Sequence, residues 1–117
     1  MIDRAFAAHF AREWIDAWNS HDLERILAHY REDFVMSSPR IAIVADEPSG
    51  VLSGKPAIGA YWKKALAATP QLRFELIETF VGADCIVLRY RGARGLATEV
   101  FFFDDEGHVV RAAANYL

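Results

Sequence analysis

The stretch Ala17-Trp18-Asn19-Ser20-His21-Asp22-Leu23-Glu24-Arg25-Ile26-Leu27-Ala28-His29-Tyr30-Arg31-Glu32-Asp33-Phe34 decides how this chain folds. Trp14 and Trp18 lie one helical turn apart, and Leu23, Ile26, Leu27 and Tyr30 follow the i, i+3, i+4, i+7 spacing of a second amphipathic helix. Between them Asn19-Ser20-His21-Asp22 stops the first helix and offers Ser20 or Asp22 as the cap of the next. Beyond Tyr30 the pattern changes to alternation, Phe34 and Met36 against Val35 and Ser37. Two helices set at an angle and feeding a strand make a lid, and the remainder of the chain must supply the sheet beneath it.

Upstream, Asp3 caps a helix running to about residue 18, with Phe6, Ala7, Phe10, Ala11, Trp14, Ile15 and Trp18 on its apolar face and Arg12 and Asp16 spaced for an i,i+4 pair. The second helix is expected over residues 22–30 and a strand over 34–38, ending at Pro39. Residues 41–44 read as a short strand, and Asp46-Glu47-Pro48-Ser49-Gly50 as a turn. Ser53 caps a third helix with Pro56 in its first turn, and Ala57, Ile58, Tyr61, Trp62, Ala65 and Leu66 form its stripe. From Leu72 onward the chain reads as an antiparallel meander of strands, with turns at Gly82-Ala83-Asp84, Gly92-Ala93-Arg94-Gly95 and Asp104-Asp105-Glu106-Gly107. Helices followed by a run of strands give an α+β domain spanning residues 1–117.

Composition narrows the function. Of 117 residues 53% are hydrophobic and 13% aromatic, a richness that fits a large core, an internal pocket or a buried subunit interface. The net charge of −3 and the lack of a basic cluster argue against nucleic acid. No apolar run approaches the ~18 residues of a membrane helix, and the first residues lack a signal-peptide pattern. The single cysteine, Cys85, cannot form an intrachain disulfide and suits a reducing cytoplasm. The four histidines, His9, His21, His29 and His108, share no metal-ligand spacing with a carboxylate, so neither a metal nor a cofactor is expected. His9 and His21 read as solvated.

The pattern Trp18-Asn19-x-x-Asp22-Leu23-x-x-Ile26, Tyr30-x-x-Asp33-Phe34, Pro39, then Gly54-x-x-Ala57-Ile58-x-x-Tyr61-Trp62, resembles the nuclear transport factor 2-like superfamily, and the ending Gly107-His-Val-Val-Arg111 fits it too. That group includes ketosteroid isomerases, SnoaL-like polyketide cyclases and limonene epoxide hydrolases. The resemblance covers nearly the whole chain and implies a cone: a curved antiparallel sheet with three helices over its concave face, enclosing an apolar pocket. It carries little about activity, because such folds host unrelated chemistries.

Carried over residue by residue, the ketosteroid isomerase pattern places its catalytic tyrosine at Trp14, its aspartate base at Ser38, its supporting tyrosine at Trp62 and its late-strand acid at Glu99. Only the acid survives, and a hydroxyl cannot replace a carboxylate as general base near neutral pH. The epoxide hydrolase pattern, two aspartates and an arginine around a water, finds at most Arg89 or Arg91 with Glu99 and Asn115. A surface cross-strand ion pair is the simpler reading of those arginines.

The resemblance implies a pocket lined by Trp14, Trp18, Tyr30, Phe34, Met36, Tyr61, Trp62 and Phe101, with Ser38 and Asn115 as polar positions; ordinary core packing is the competing reading for the large aromatics. Glu99, set among Leu96, Ala97, Val100, Phe101, Phe102 and Phe103, stands apart. A carboxylate tolerates such surroundings only with a partner or a proton. Parity puts Ala97, Glu99, Phe101 and Phe103 on one face, towards the cavity if that face is concave; Arg89 or Arg91 across the hairpin would instead hold it ionised.

Three roles follow: an enzyme of cyclase, isomerase or hydratase type with Glu99 as acid or base, a non-catalytic binder of a hydrophobic metabolite, and an interaction protein with a filled pocket. Because residues 100–103 are apolar on both parities, both faces of that strand require burial, and a homodimer packed sheet to sheet is expected. With Trp14 and Ser38 at the donor and base positions, the purified protein is expected to leave a β,γ-unsaturated ketosteroid at its background isomerisation rate. Enzyme-dependent turnover in a spectrophotometric assay would show that the first strand has been misaligned.

Overall fold

Asp3 begins the first helix, its Oδ1 accepting from the backbone N–H groups of Ala5 (2.7 Å) and Phe6 (3.0 Å). This helix, α1 (Arg4–Ser20), ends where His21 turns into the left-handed region at φ 61°, its N–H donating to the Trp18 carbonyl. Asp22 then accepts from Arg25 N–H and starts α2 (Leu23–Leu27), so of the two capping candidates it is Asp22 that serves. Ser20 holds the reversal, donating to the Ala17 carbonyl and accepting from Asp22 N–H. The computed structural model describes residues 1–117 and continues with β1 (Tyr30–Ser37), α3 (Pro39–Val44), β2 (Val51–Ser53), α4 (Lys55–Ala68), β3 (Glu75–Val81), β4 (Cys85–Gly92), β5 (Gly95–Phe103) and β6 (Val109–Tyr116).

The strands form one sheet in the order β2-β1-β6-β5-β4-β3, curved and unclosed, with the helices on its concave side. Four of the five pairings are antiparallel, but β1 runs parallel to β6. The expected all-antiparallel sheet is corrected on that point. Hairpins force the consecutive strands β3 to β6 to alternate, whereas β1 meets β6 only after a long connection that leaves either direction open. β1 also starts earlier than expected, at Tyr30, with a register irregularity against β6 between Tyr30 and Val35, and Tyr30 and Phe34, an even number of residues apart, are both buried. The second helix is correspondingly short.

Residues 40–53 depart most from expectation. Where a strand was expected over residues 41–44 the chain forms a fourth helix, α3, capped by Ser38 (Oγ accepts from Arg40 N–H at 3.1 Å) with Pro39 at its first position. A serine-proline start favours a helix strongly enough to outweigh two isoleucines. Ile41 is buried and Ile43 is 68% exposed, whereas a strand would have put them on one face. The strand lies later, as β2, and the N-cap of α4 is Gly54 rather than Ser53. Gly54 sits at φ 86° with no capping side chain, and its N–H reaches the Phe34 carbonyl at 2.7 Å.

The concave side is filled unevenly. At one end Phe6, Phe10, Phe101 and Phe103 interlock, with Phe10 centred 4.8 Å from Phe101 and 4.9 Å from Phe103 in edge-to-face contacts. Trp14 continues this layer at 5.3 Å from Phe101. At the other end β5 and β6 offer only Ala97 and Ala114 beside Glu99, and space remains. On the helix side Arg25 grips Glu13 through two hydrogen bonds of 3.0 and 2.8 Å, pinning α2 to α1; Arg12 and Asp16 form no ion pair. No helix is long and apolar enough to cross a membrane.

Residues 72–74, expected within the first strand of the meander, precede β3 and lie outside its ladder. Side chains at the end of α1 hold them instead: Asn19 Nδ2 donates to the Phe74 carbonyl (3.0 Å), Asn19 Oδ1 accepts from Phe74 N–H (2.6 Å), and His21 Nε2 lies 2.8 Å from the Leu72 carbonyl. His21 is therefore a tether rather than a solvated side chain. Asn19→Ala removes both Asn19 bonds and leaves two part-buried backbone groups without partners. Urea unfolding is expected to show a loss of about 1–3 kcal/mol, against well under ~0.5 kcal/mol for an ordinary surface change such as Lys63→Ala.

Candidate functional site

The space at the open end of the cone is a cavity of about 220 Å³. Its walls come from α1 (Trp14, Trp18), β1 and the start of α3 (Met36, Ser38, Arg40), α4 (Tyr61, Trp62, Ala65), the tethered segment (Leu72, Phe74) and the ends of β4, β5 and β6 (Tyr90, Ala97, Glu99, Ala114, Tyr116). The β4–β5 turn, Gly92 to Gly95, completes the rim. Exposure grades from Glu99 at 4% to Tyr116 at 40%, so the acid lies at depth and Tyr116 with the turn marks the mouth.

Five aromatic rings build the body of the cavity. Trp14 stacks on Phe74 (5.6 Å between centroids, 19° between planes), Phe74 packs on Tyr90 at 4.7 Å, and Trp18 meets Trp62 edge to face at 5.2 Å. The Trp14 indole N–H donates to Tyr30 Oη at 2.9 Å, a bond inside the core. The Trp18 indole N–H is buried without a protein acceptor.

Glu99 is held by register. On β5 it faces Leu88 of β4 and Ala114 of β6, and it shares the concave face with Ala97 and Phe101. Neither arginine of β4 reaches it. Arg89 stands opposite Thr98 on the other face and pairs with Glu78 at 2.9 Å, while Arg91 is exposed opposite Leu96. The one protein hydrogen bond to the carboxyl comes from Tyr90, whose Oη donates to Oε1 at a long 3.3 Å. Burial dominates and pushes the Glu99 pKa up to about 8, the Tyr90 bond opposing it only in part. Near neutral pH the carboxyl is mostly protonated and can donate a hydrogen bond. Tyr90, desolvated and beside the acid, is raised far above the ordinary phenol range and stays neutral.

Of the other expected pocket residues, Trp14, Trp18, Met36, Ser38, Tyr61 and Trp62 stand in the wall. Tyr30, Phe34 and Phe101 do not: they are buried behind it as core. Asn115 is corrected outright, since it is exposed and pairs with Thr98 on the convex face, one residue out of phase with Ala114. An Arg–Glu–Asn set of the hydrolase kind is therefore not assembled. Ser38 neighbours the phenols of Tyr61 and Tyr116 while its Oγ caps α3. No group of three or more His, Cys, Asp or Glu side chains is placed to hold a metal.

Sequence reasoning missed Tyr90, Phe74, Tyr116, Arg40 and Arg94. For Tyr90 the signal was present: once Ala93-Arg94 is read as a two-residue turn, Gly92 pairs with Gly95, Tyr90 with Ala97 and Leu88 with Glu99. For Arg40 it was hidden by the strand expected at residues 41–44.

Three comparisons bear on this geometry. The sequence profile of the SnoaL-like domain matches residues 11–114. A SnoaL-like protein of unknown function from Burkholderia thailandensis, known from a crystal structure, is 55% identical over 99% of this chain and 98% of its own, with a TM-score of 0.95. A candidate polyketide cyclase from Sinorhizobium meliloti shares the fold at 18% identity (90% and 92% of the two chains, TM-score 0.69). So does TerC co-crystallised with polyporic acid, at 14% identity (96% and 92%, TM-score 0.77). No curated protein matches the sequence. On the profile match and the Burkholderia relative, over a six-stranded cone, the chain belongs to the SnoaL-like family of the nuclear transport factor 2-like fold.

Proposed function

We propose that the cone binds a small, largely apolar molecule and that Glu99, in its protonated form, donates a hydrogen bond to a carbonyl oxygen of that molecule. The observation that carries this reading is a buried carboxyl at the base of an aromatic cavity with one weak protein partner, surroundings that favour its uncharged form. A hydrogen bond from a neutral acid in apolar surroundings strengthens as negative charge grows on the acceptor, which is the requirement for polarising a carbonyl.

The wall contains no histidine and no second carboxylate. The site therefore offers an acid without a partner base, and it suits a reaction in which the substrate supplies its own nucleophile, such as a ring closure. A proton shuttle of the isomerase type lacks its base, since Ser38 stands at that position and caps a helix. The crystal structures named for a candidate cyclase and for a complex with polyporic acid lend the fold a precedent for cyclic ligands. The alternative is a binder without turnover, favoured by the absence of that base; the chemistry of Glu99 would then serve recognition alone.

Glu99 makes the reading testable through pH. Its folded pKa of about 8 lies above the ordinary 4.5, so the folded state retains a proton that the unfolded chain releases. The stabilising contribution is complete below about pH 4.5 and is lost as pH rises to about 8. Carbon NMR of the carboxyl is expected to titrate near 8 rather than near 4.5. Glu99→Gln, which cannot ionise, is expected to lack the decline in urea midpoint that the wild type shows across that window. A carboxyl titrating at or below the ordinary value would end the neutral-acid reading.

We also propose that two copies pack through the convex side of the sheet. There Val87, Val100 and Ala113 form one cross-strand row, and Phe102 lies beside it with the Arg111 guanidinium 4.6 Å over its ring. Light scattering at micromolar concentration is expected to give twice the chain mass for the wild type and the single-chain mass for Val100→Asp. A wild-type monomer would refute the arrangement.

A further inference from the structure

The charges around the cavity are not distributed as in the rest of the chain. The protein carries a net −3, yet the ionisable residues in the cavity wall, tyrosines aside, are two arginines, Arg40 and Arg94, and one acid, Glu99, which is protonated. Neither arginine side chain makes a hydrogen bond or an ion pair within the protein, a state they share with Arg4, Arg12, Arg73, Arg91 and Arg111, but of these only Arg40 and Arg94 line the cavity. Arg40 is half-buried at the first turn of α3, and Arg94 is exposed at the tip of the β4–β5 turn, so they come from opposite sides of the mouth. Both line the same cavity as Tyr116, and their charges oppose the rise in pKa that burial imposes on that phenol. The cavity thus has a cationic mouth, an aromatic middle and a hydrogen-bond-donating floor.

Resting on the reading of this cavity as a ligand site, we infer that its ligand is a compact aromatic carboxylate: the anion lies between Arg40 and Arg94, the ring against Trp14, Trp18 and Phe74, and a carbonyl at the far end meets Glu99. Guanidinium groups recognise carboxylates through paired N–H donors and are weakly enough hydrated to do so at a half-buried rim. A cavity of about 220 Å³ lies below the ~300–1,000 Å³ of sites for drug-sized molecules, which limits the ligand to one or two rings.

The test compares para-acetylbenzoate with para-acetylbenzamide, which match in size and in the distal ketone and differ in charge. Binding is followed by calorimetry and amide shifts at neutral pH in low and high salt. The wild type is expected to favour the carboxylate by about tenfold or more, as two charge-assisted contacts imply, and to lose much of that preference in high salt. Arg40→Gln/Arg94→Gln should bind both compounds alike, at the affinity of the amide. Ala114→Leu, which fills the space beside Glu99, should abolish binding of both; circular dichroism checks that each variant folds. Equal affinities in the wild type, or a preference that survives loss of both arginines, would overturn the anion assignment and leave the ligand site standing. Failure of both compounds to bind the wild type would overturn the ligand site itself, and this inference with it.

Discussion

The contact between α1 and the middle of β5 organises this domain. Phe10 and Trp14, one turn apart on the helix, both close on the ring of Phe101. That fixes the height of the helix above the sheet, and two consequences follow. Towards one end, Phe6 and Phe103 fill the gap and the cone is solid. Towards the other, Ala97 and Ala114 cannot span a distance set by phenylalanine and tryptophan, so space remains and Glu99 faces it. Cavity and buried acid are thus products of one packing decision. Truncating Phe101 would let the helix sink, at the ~3–5 kcal/mol typical of a buried aromatic, and alter the space beside Glu99 as well.

Much of this architecture was readable in the residues. The helical spacing of Phe6, Phe10, Trp14 and Trp18 specified the buried face of α1, and the alternation of Ala97, Glu99, Phe101 and Phe103 specified the inner face of β5. Both are local periodicities, which need no knowledge of partners. Three features were not readable for a common reason: they depend on pairings distant in sequence. The parallel contact of β1 with β6 joins segments more than seventy residues apart. The tether of Leu72 and Phe74 runs from side chains of α1. The place of Asn115 depends on its register with Thr98, and a shift of one residue moves a side chain from cavity to solvent. The helix at residues 39–44 is a different case. Its Ser-Pro start was a local signal, outweighed in reading by isoleucine and valine content that belongs equally to a buried helix turn.

Two polar groups of the cavity wall are used by the protein itself. Trp14 donates a hydrogen bond to Tyr30 within the core. Ser38 caps a helix. Glu99, by contrast, has one long hydrogen bond. A buried polar group with so little structural return costs stability unless something else binds it.

The tether of residues 72–74 separates one cavity wall from the sheet. Phe74 is a wall of the cavity, yet its segment is held by three side-chain hydrogen bonds from α1 rather than by a strand ladder. Each such bond contributes only about 0.5–1.5 kcal/mol. Freeing the segment therefore leaves β3 and its pairing with β4 intact, and its main cost is unstacking Phe74 from Trp14 and Tyr90. One wall of the cavity is thus set by the end of α1 and not by the sheet it adjoins, and a change at Asn19 or His21 reaches the cavity without touching its lining.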